Sequence, residues 1–185
     1  MQEVNPVTGC LLLSEPFSYD VNFHRTVVLL CEHREDGTFG LILNRRSNLM
    51  LNEVVDEVYV ENVPVFVGGP VQQNTMHILH TLGDKIPDSA EVSDGLFWGG
   101  DFTTIIQLLN AGELDNHNVR FYIGYSGWSE GQLAEEMKER TWIVAPHNTQ
   151  QLFETETPKL WHDILYRMGG DYRILANAPA YPQLN

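Results

Sequence analysis

Residues 25–44 read RTVVLLCEHREDGTFGLILN, two apolar runs separated by a polar segment with one glycine. The runs 25–31 and 39–43 are rich in β-branched and aliphatic residues, which is typical of buried strands. The segment 32–38 between them is polar and contains Gly37, so it indicates a turn. The stretch therefore predicts a β-hairpin with a longer loop.

Strand and helix patterns continue along the rest of the chain without a regular alternation. Five short segments have strand character: 63–67, 76–80, 96–98, 119–123 and 141–145. Four segments have the spacing of amphipathic helices: 51–58, 102–109, the stretch behind the Ser129/Gln132 capping-box pattern, and 157–168. Because helices do not follow strands at crossover spacing, we predict an α+β fold. It is a single compact domain with a mixed, mostly antiparallel β-sheet and helices packed on it.

The clearest helix is the last one. Thr157 is placed to cap it, Pro158 takes its first position and Gly169 ends it. Its apolar stripe consists of Leu160, Trp161, Ile164, Leu165 and Met168. We therefore expect Trp161 to be a core residue.

Length and charge restrict the classes of partner. With 185 residues and 43% hydrophobic content, the chain is sized for one core, and we expect one domain over 1–185 with a loosely held tail from 176 to 185. Lysine and arginine number 11 and aspartate and glutamate 25, which gives a net charge of −14. A field of that sign repels phosphate backbones, so direct nucleic-acid binding is not expected.

The first residues have no signature of export. Residues 1–6 read MQEVNP, with neither a basic nor an apolar region, and no stretch approaches the ~18 apolar residues of a membrane span. We therefore expect a cytoplasmic protein without a membrane partner. Cys10 and Cys31 lie in apolar runs, so we expect buried free thiols rather than a disulfide.

The histidines do not form a metal-ligand pattern. Glu32-His33 follows the first predicted strand and is either a tuned base, half of a metal site or a solvated pair, of which we favour the last. His77 and His80 are three residues apart, and in a strand such residues point to opposite faces. Since the chain also lacks a Cys-x-x-Cys pair, we expect no metal and no other cofactor.

Two glycine-containing turns are candidates for contact with a ligand. Gly68-Gly69-Pro70 follows a strand and either lets the backbone approach a ligand or makes a sharp structural turn. Gly127-Trp128 precedes a helix whose first turn is already acidic, and Trp128 is expected to be a packing residue. Ser126 has a glycine two positions before it but a tryptophan two positions after it, so the nucleophile-elbow pattern of hydrolases is incomplete.

Six groups of residues occur in order along the chain: Phe23-x-Arg25-x-Val27-Val28, Cys31-Glu32-His33, Gly37-x-x-Gly40-Leu41-Ile42-Leu43-Asn44-Arg45, Gly68-Gly69-Pro70-Val71, Gly127-Trp128-x-x-Gly131-Gln132-Leu133-x-x-Glu136, and Leu160-Trp161 with Gly169. Together they resemble the YqgE/AlgH family of bacterial proteins over residues 9 to about 170. Arg46 stands where this family commonly has proline, and Ala134 where an acid often follows Gln-Leu. The resemblance implies a compact α+β core over that range with a mixed sheet. It implies no reaction, cofactor or catalytic residue, and the family's usual label, transcriptional regulator, rests on a genetic association.

Three functions remain open. We favour a non-enzymatic binding or regulatory protein whose partner is an unknown protein or small-molecule ligand. The alternatives are a transcriptional regulator that acts indirectly rather than by DNA binding, and a hydrolase that uses Cys31 with His33, or Ser126. The candidate surface consists of Glu32, His33, Asn44, Gly68, Gly69, Pro70, Gly127, Trp128 and Gln132.

The predicted hairpin separates the residues that a cysteine hydrolase would need. Cys31 is expected near Phe39 or Gly40 at the loop end of the hairpin, whereas Asn44 is expected at the opposite end. About five residues of strand then separate His33 from Asn44 by roughly 15 Å, several times the reach of an orienting hydrogen bond. We therefore expect no cysteine-dependent hydrolysis.

Overall fold

A computed structural model describes residues 4–18, 20–154 and 157–179. Within these ranges there are ten strands: β1 (Leu11–Ser14), β2 (Val27–Arg34), β3 (Gly37–Ile42), β4 (Arg46–Met50), β5 (Pro64–Val67), β6 (Val71–His80), β7 (Ser89–Ser93), β8 (Leu96–Gly99), β9 (Val119–Ser129) and β10 (Trp142–Ala145). The same ranges contain six α-helices: α1 (Leu51–Val54), α2 (Phe102–Asn110), α3 (Gln132–Lys138), α4 (Thr149–Glu154), α5 (Leu160–Met168) and α6 (Gly170–Ala176). Two 3₁₀ turns, Gly83–Lys85 and Thr157–Lys159, complete the elements.

The strands form one mixed sheet, as predicted. Its main order is β10-β1-β2-β3-β9-β6-β8-β7, with antiparallel neighbours throughout. The parallel pair is β5 with β9, and β4 pairs antiparallel with β5. This is a single-domain α+β fold. Its central strand is β9, which pairs with β3, β5 and β6.

Three apolar clusters hold the helices on this sheet. The largest lies on the face covered by α4, α5 and α6 and joins strand residues from across the sheet, including Leu29, Leu41 and Tyr122, to helix residues such as Trp161. A second cluster packs α1 and α2 against β5, β6 and β9, and a third packs α3 against β1, β2 and β3. Both faces of the central strands are therefore buried, which explains their nearly continuous apolar runs.

The connection from β5 to β6 crosses β9 at a pair of glycines. Residues 65–67 pair with β9 on one side and β6 pairs with it on the other, so the link through Gly68 and Gly69 passes over β9 beside Gly124. A Cβ on Gly68 would lie 2.3 Å from the Gly124 carbonyl oxygen, and a Cβ on Gly69 would lie 2.1 Å from the Tyr125 carbonyl group. The two main chains are in contact, and no side chain fits between them.

Most predicted elements are confirmed, and three strands, β1, β4 and β7, are additional to those predicted. The helix expected over 51–58 is wrong: α1 ends at Val54 and Val55 is extended, although Leu51 and Val58 are buried as the pattern indicated. The β-branched pair Val54-Val55 disfavours helix, and the Tyr59 N–H bonds the Asn110 side chain instead of a helical carbonyl. Ser129 is not a helix cap, because β9 continues to it and α3 starts from Gly131 at φ +73°.

The C-terminal part contains two helices that the sequence patterns did not predict, α4 and α6. Helix α5 ends at Gly169 as predicted, and α6 follows at once. The predicted start is wrong: Thr157 and Pro158 lie in a 3₁₀ turn, and α5 begins at Leu160 without a side-chain cap. Ala176 is buried, and the Ala178 carbonyl accepts a hydrogen bond from Arg25. The rest of the predicted loose tail, residues 180–185, lies outside the described residues.

Candidate functional site

The β2–β3 hairpin has the predicted register and a bulge at Cys31. Leu30 pairs with Gly40 and Glu32 with Phe39, so Cys31 is the extra residue. Cys31 and Cys10 are free and buried, and burial raises the pKa of both thiols. A buried thiol with a raised pKa is a poor nucleophile at neutral pH.

Asn44 lies at the other end of the hairpin, where it holds the start of β2. Its Oδ1 accepts from the Val27 N–H at 2.8 Å, and its Nδ2 donates to the Arg25 carbonyl at 2.8 Å. Arg25 has a φ of +50°, so the amide of Asn44 fixes an unusual turn. His33 instead contacts Thr38 Oγ1 at 2.6 Å. Cys31, His33 and Asn44 therefore do not form a triad, and the absence of cysteine-dependent hydrolysis stays a prediction.

His77 and His80 point to opposite faces of β6, as expected. His77 packs among aromatic rings on one face, whereas His80 is fully buried on the other and stacks on Phe97. Nδ1 of His80 accepts from the Leu82 N–H at 3.3 Å, so Nε2 carries the proton and donates to Ser89 Oγ, 3.0 Å away. A catalytic histidine needs the reverse tautomer, with a free Nε2 that accepts the serine proton. The Ser89–His80 pair is therefore a structural hydrogen bond.

The buried His80 and the half-buried His77 give stability a defined pH dependence. Burial lowers the pKa of His80 and His77 below the ordinary value of 6.5. As pH falls through that value the unfolded chain binds protons that the folded chain does not, so stability is retained above about 6.5 and lost below it. We expect the free energy of unfolding to fall by roughly 1 kcal/mol between pH 7.5 and 5.5 through His80.

Urea unfolding of wild type and His80→Asn at both pH values measures this effect. The variant is less stable at pH 7.5, because it loses the stacking on Phe97 and its shorter amide does not reach the Ser89 hydroxyl. Its loss of stability on acidification should be smaller than that of wild type. Equal losses in the two proteins would contradict the assignment to His80.

Ser126 lies where the β5–β6 link crosses β9 and is fully buried. Its hydroxyl donates to the Gly68 carbonyl at 3.2 Å. The hydroxyl proton is thus held by a main-chain oxygen. Ser126 therefore joins β9 to the link between β5 and β6.

Trp128 packs in the core as predicted, and its hydrogen bonds show the structural role of the motif from Gly127 to Glu136. Oε2 of Glu136 accepts from the Trp128 indole at 2.8 Å and from the Trp142 indole at 2.7 Å. Gln132 donates to the other carboxylate oxygen at 3.0 Å and accepts from the Ser129 N–H at 3.1 Å. The Gly-Trp…Gln…Glu pattern therefore fastens α3 to β9 and β10, and Gln132 has a structural partner at each end of its amide.

Arg120 is a buried cation that no sequence pattern singled out. Its guanidinium lies over the rings of Phe66 and Phe153 and donates to the Phe153 carbonyl at 3.1 Å. It faces the Tyr122 side chain, whose pKa burial raises to about 12. These contacts attach α4 to the sheet. We assign Arg120 a structural role.

Four aromatic side chains meet on the sheet beside these elements, and we call them the aromatic cluster: Phe39, His77, Trp98 and Tyr125. The ring centroid of Phe39 lies 4.8 Å from that of Trp98, 4.9 Å from that of Tyr125 and 5.1 Å from that of His77. All four side chains are half-buried, and Trp98 Nε1 is enclosed without a hydrogen-bond partner. Half-exposed aromatic rings of this kind are common at binding surfaces.

A groove of about 510 Å³ adjoins the aromatic cluster. We call it the hairpin groove, and it is lined by Glu32, Arg34, Asp36, Gly37, Thr38, Phe39, Val71, Tyr125, Gly127 and Trp128. Glu32 and Arg34 form an exposed ion pair at its rim, whereas Asp36 has no ion-pair partner among the described residues. Its floor is aromatic and its rim is charged.

The structure brings together part of the predicted surface. Glu32, Gly127 and Trp128 line the hairpin groove, and His33 joins it through Thr38. Gly68 and Gly69 lie beneath it in the main-chain crossing, with Pro70 exposed beside them. Gln132 and Asn44 lie outside its lining, and both have structural hydrogen bonds.

The sequence profile of the AlgH-like family matches residues 11–173 of the chain. The chain belongs to the AlgH-like family. An AlgH-like relative named UPF0301 protein from Cytophaga hutchinsonii is 42% identical over 178 residues, which cover 96% of this chain and 98% of the relative. Another UPF0301 protein, from Bacteroides thetaiotaomicron, is 39% identical over 183 residues and 93% of its own length.

Two solved structures share the AlgH-like fold. The crystal structure of a protein from Corynebacterium diphtheriae has a TM-score of 0.80 at 25% identity and covers 96% of this chain and 95% of its own. The solution structure of the AlgH protein from Pseudomonas aeruginosa has a TM-score of 0.74 at 26% identity and covers 98% of this chain and 100% of its own.

The described residues of this AlgH-like chain are 4–18, 20–154 and 157–179. They contain no group of three or more histidine, cysteine, aspartate or glutamate side chains placed to hold a metal ion. No helix in the described part of the chain has the length and apolar character to cross a membrane.

Proposed function

We propose that this AlgH-like chain is a non-enzymatic binding protein of the bacterial cytosol with a regulatory role, and that it binds its partner in the hairpin groove. The observation that carries the proposal is the aromatic cluster beside the groove. Phe39 and Tyr125 belong to both, so a partner that enters the groove contacts exposed aromatic surface. Such surface contributes much of the affinity in protein interfaces.

Three candidate nucleophiles, Cys31, Ser126 and Ser89, support a binding function over a hydrolytic one. Cys31 is buried with a raised pKa, Ser126 is buried and bonded to a main-chain carbonyl, and Ser89 faces the wrong tautomer of His80. None of these groups lines the hairpin groove. A hydrolase needs an activated nucleophile in contact with substrate.

Regulation of transcription fits the same proposal when it is indirect. A net charge of −14 opposes the counterion-release term on which DNA affinity depends. An effect on transcription would then follow from binding of a protein or small ligand in the groove.

The test compares the molecules that purified wild-type and variant proteins bind from a lysate. Wild-type protein, Asp36→Lys and Gly127→Gln are immobilised, exposed to native bacterial lysate, and the bound proteins and small molecules are quantified by mass spectrometry. Asp36 and Gly127 are exposed, so both variants should fold. Glu57→Lys makes the same charge change at an exposed position outside the groove and is the matched control.

We expect at least one molecule to be retained about tenfold less by both groove variants, while Glu57→Lys retains it as wild type does. A set of bound molecules that is the same for wild type and for both groove variants would overturn the proposal.

A further inference from the structure

Strand β9 has one unpaired edge inside the hairpin groove. Its pairing with β6 ends at Tyr125, which is opposite Val71. From Ser126 to Ser129 the ladder continues on the β3 side alone, and no strand of the described residues pairs with the other side. Val71, Tyr125 and Gly127 all line the groove, so this free edge faces it.

The register identifies which main-chain groups point outward. The Ile42 N–H bonds the Gly68 carbonyl on the β9 side of β3, so even-numbered residues of β3 direct their main-chain groups toward β9. Their partners Ser126 and Trp128 then bond to β3, and Gly127 directs its N–H and C=O into the groove. The next outward N–H, that of Ser129, is occupied by the Gln132 side chain. Gly127 is therefore the free donor and acceptor of this edge.

We infer that an extended segment of a partner protein adds to β9 as a strand at Gly127 and places lysine or arginine side chains against the rings of Phe39 and Tyr125. This inference rests on the proposed function and specifies the partner of the same groove. Strand addition to a free sheet edge gives affinity through main-chain hydrogen bonds and specificity through alternate side chains.

Charge and aromatic surface select a basic segment. The hairpin tip from Glu32 to Asp36 contains three acids and one arginine, and that arginine is already paired with Glu32. Cations bind the faces of aromatic rings, and Phe39 and Tyr125 supply two such rings at the edge. Burial lowers the pKa of His77 behind them, so this histidine adds no opposing charge at neutral pH.

The same charges disfavour other occupants. Nucleic acid carries the same sign as the protein, and so does a second copy of this chain, at −14 each. The free edge is also short, from Ser126 to Ser129, which limits self-association through it.

The probe is a fluorescein-labelled hexapeptide of alternating valine and arginine, and binding is followed by fluorescence anisotropy. Gly127→Pro removes the outward N–H but no ladder bond to β3, and Gly127→Ala adds a similar Cβ and keeps the N–H. We expect Gly127→Pro to weaken binding about tenfold more than Gly127→Ala does. Asp36→Lys should weaken it about fivefold, and Glu57→Lys less than about twofold.

Amide hydrogen exchange gives a second measurement on wild-type protein. Bound probe should slow exchange of the Gly127 amide by about tenfold or more, because strand addition places that N–H in a hydrogen bond. Circular dichroism and thermal unfolding of each variant check that it is folded before its affinity is compared.

Several results would overturn the inference. These are equal affinity in the proline and alanine variants, an unprotected Gly127 amide, equal binding of the matching valine–glutamate peptide, or a dimer that forms through this edge. If the probe fails while capture from lysate still depends on Asp36 and Gly127, strand addition is wrong and the groove remains the binding site. If neither probe binding nor capture from lysate depends on Asp36 and Gly127, the proposed function fails as well.

Discussion

Gly69→Ala is expected to prevent folding, with a loss of more than about 4 kcal/mol of stability. The added Cβ would lie 2.1 Å from both the carbonyl carbon and the carbonyl oxygen of Tyr125, and 2.4 Å from the Ser126 nitrogen. All three atoms belong to the main chain of β9, the central strand. Relief of the overlap would require that β9 move away from β3 and β6, which breaks the ladder on which both halves of the sheet depend.

Gly112→Ala is the matched control for this substitution. Gly112 has a φ of +76°, and a Cβ there meets nothing within 4 Å. Its cost is therefore limited to backbone strain of about 1–2 kcal/mol. Soluble expression followed by chemical unfolding compares the two variants, and a Gly69→Ala protein as stable as Gly112→Ala would show that the crossing is looser than described.

Trp161→Ala is expected to cost about 3–5 kcal/mol, the range for truncation of a buried tryptophan. The side chain is 2% exposed within the largest apolar cluster, and its indole donates to the Ser14 carbonyl at 3.0 Å. The Arg25 guanidinium lies 4.9 Å from the ring. Truncation thus leaves a cavity, an unpaired buried carbonyl in β1 and an arginine without its aromatic partner.

Trp161→Phe separates these contributions. The phenyl ring retains most of the packing but loses the hydrogen bond to Ser14, so we expect a cost of about 1–2 kcal/mol. Urea unfolding of both variants measures the difference. Wild-type stability in Trp161→Ala would contradict the core assignment.

Seven of the ten described strands and the hairpin register could be predicted because their residues carry local signals. Two apolar runs and one polar turn determined that Cys31 and Asn44 lie at opposite ends of the hairpin, and the structure agrees. Helix α1 was predicted too long because the apolar spacing of 51–58 reports burial rather than backbone shape. The main chain after Val55 is held by Asn110, which is distant in sequence and bonds the Glu57 carbonyl and the Tyr59 N–H.

The groove could be predicted only in part, because its floor is assembled from distant strands. Phe39, His77, Trp98 and Tyr125 come from β3, β6, β8 and β9, and no spacing in the sequence reports that these strands are neighbours. The sequence indicated the glycine turns, but it did not distinguish contact with a ligand from a structural turn. A glycine that faces a ligand and a glycine that faces another main chain have the same sequence signal.

The central place of β9 also governs the order in which the protein can form. Strand β9, residues 119–129, lies between β5 and β6. These two strands are consecutive in the chain, and the link between them crosses β9. Until that segment leaves the ribosome, β3, β5 and β6 lack the strand that joins them, and β1 waits still longer for β10. Contacts of such long sequence separation slow folding. A nascent or truncated chain without β9 is therefore exposed to aggregation through β5 and β6, and no N-terminal fragment that stops before it has a complete core.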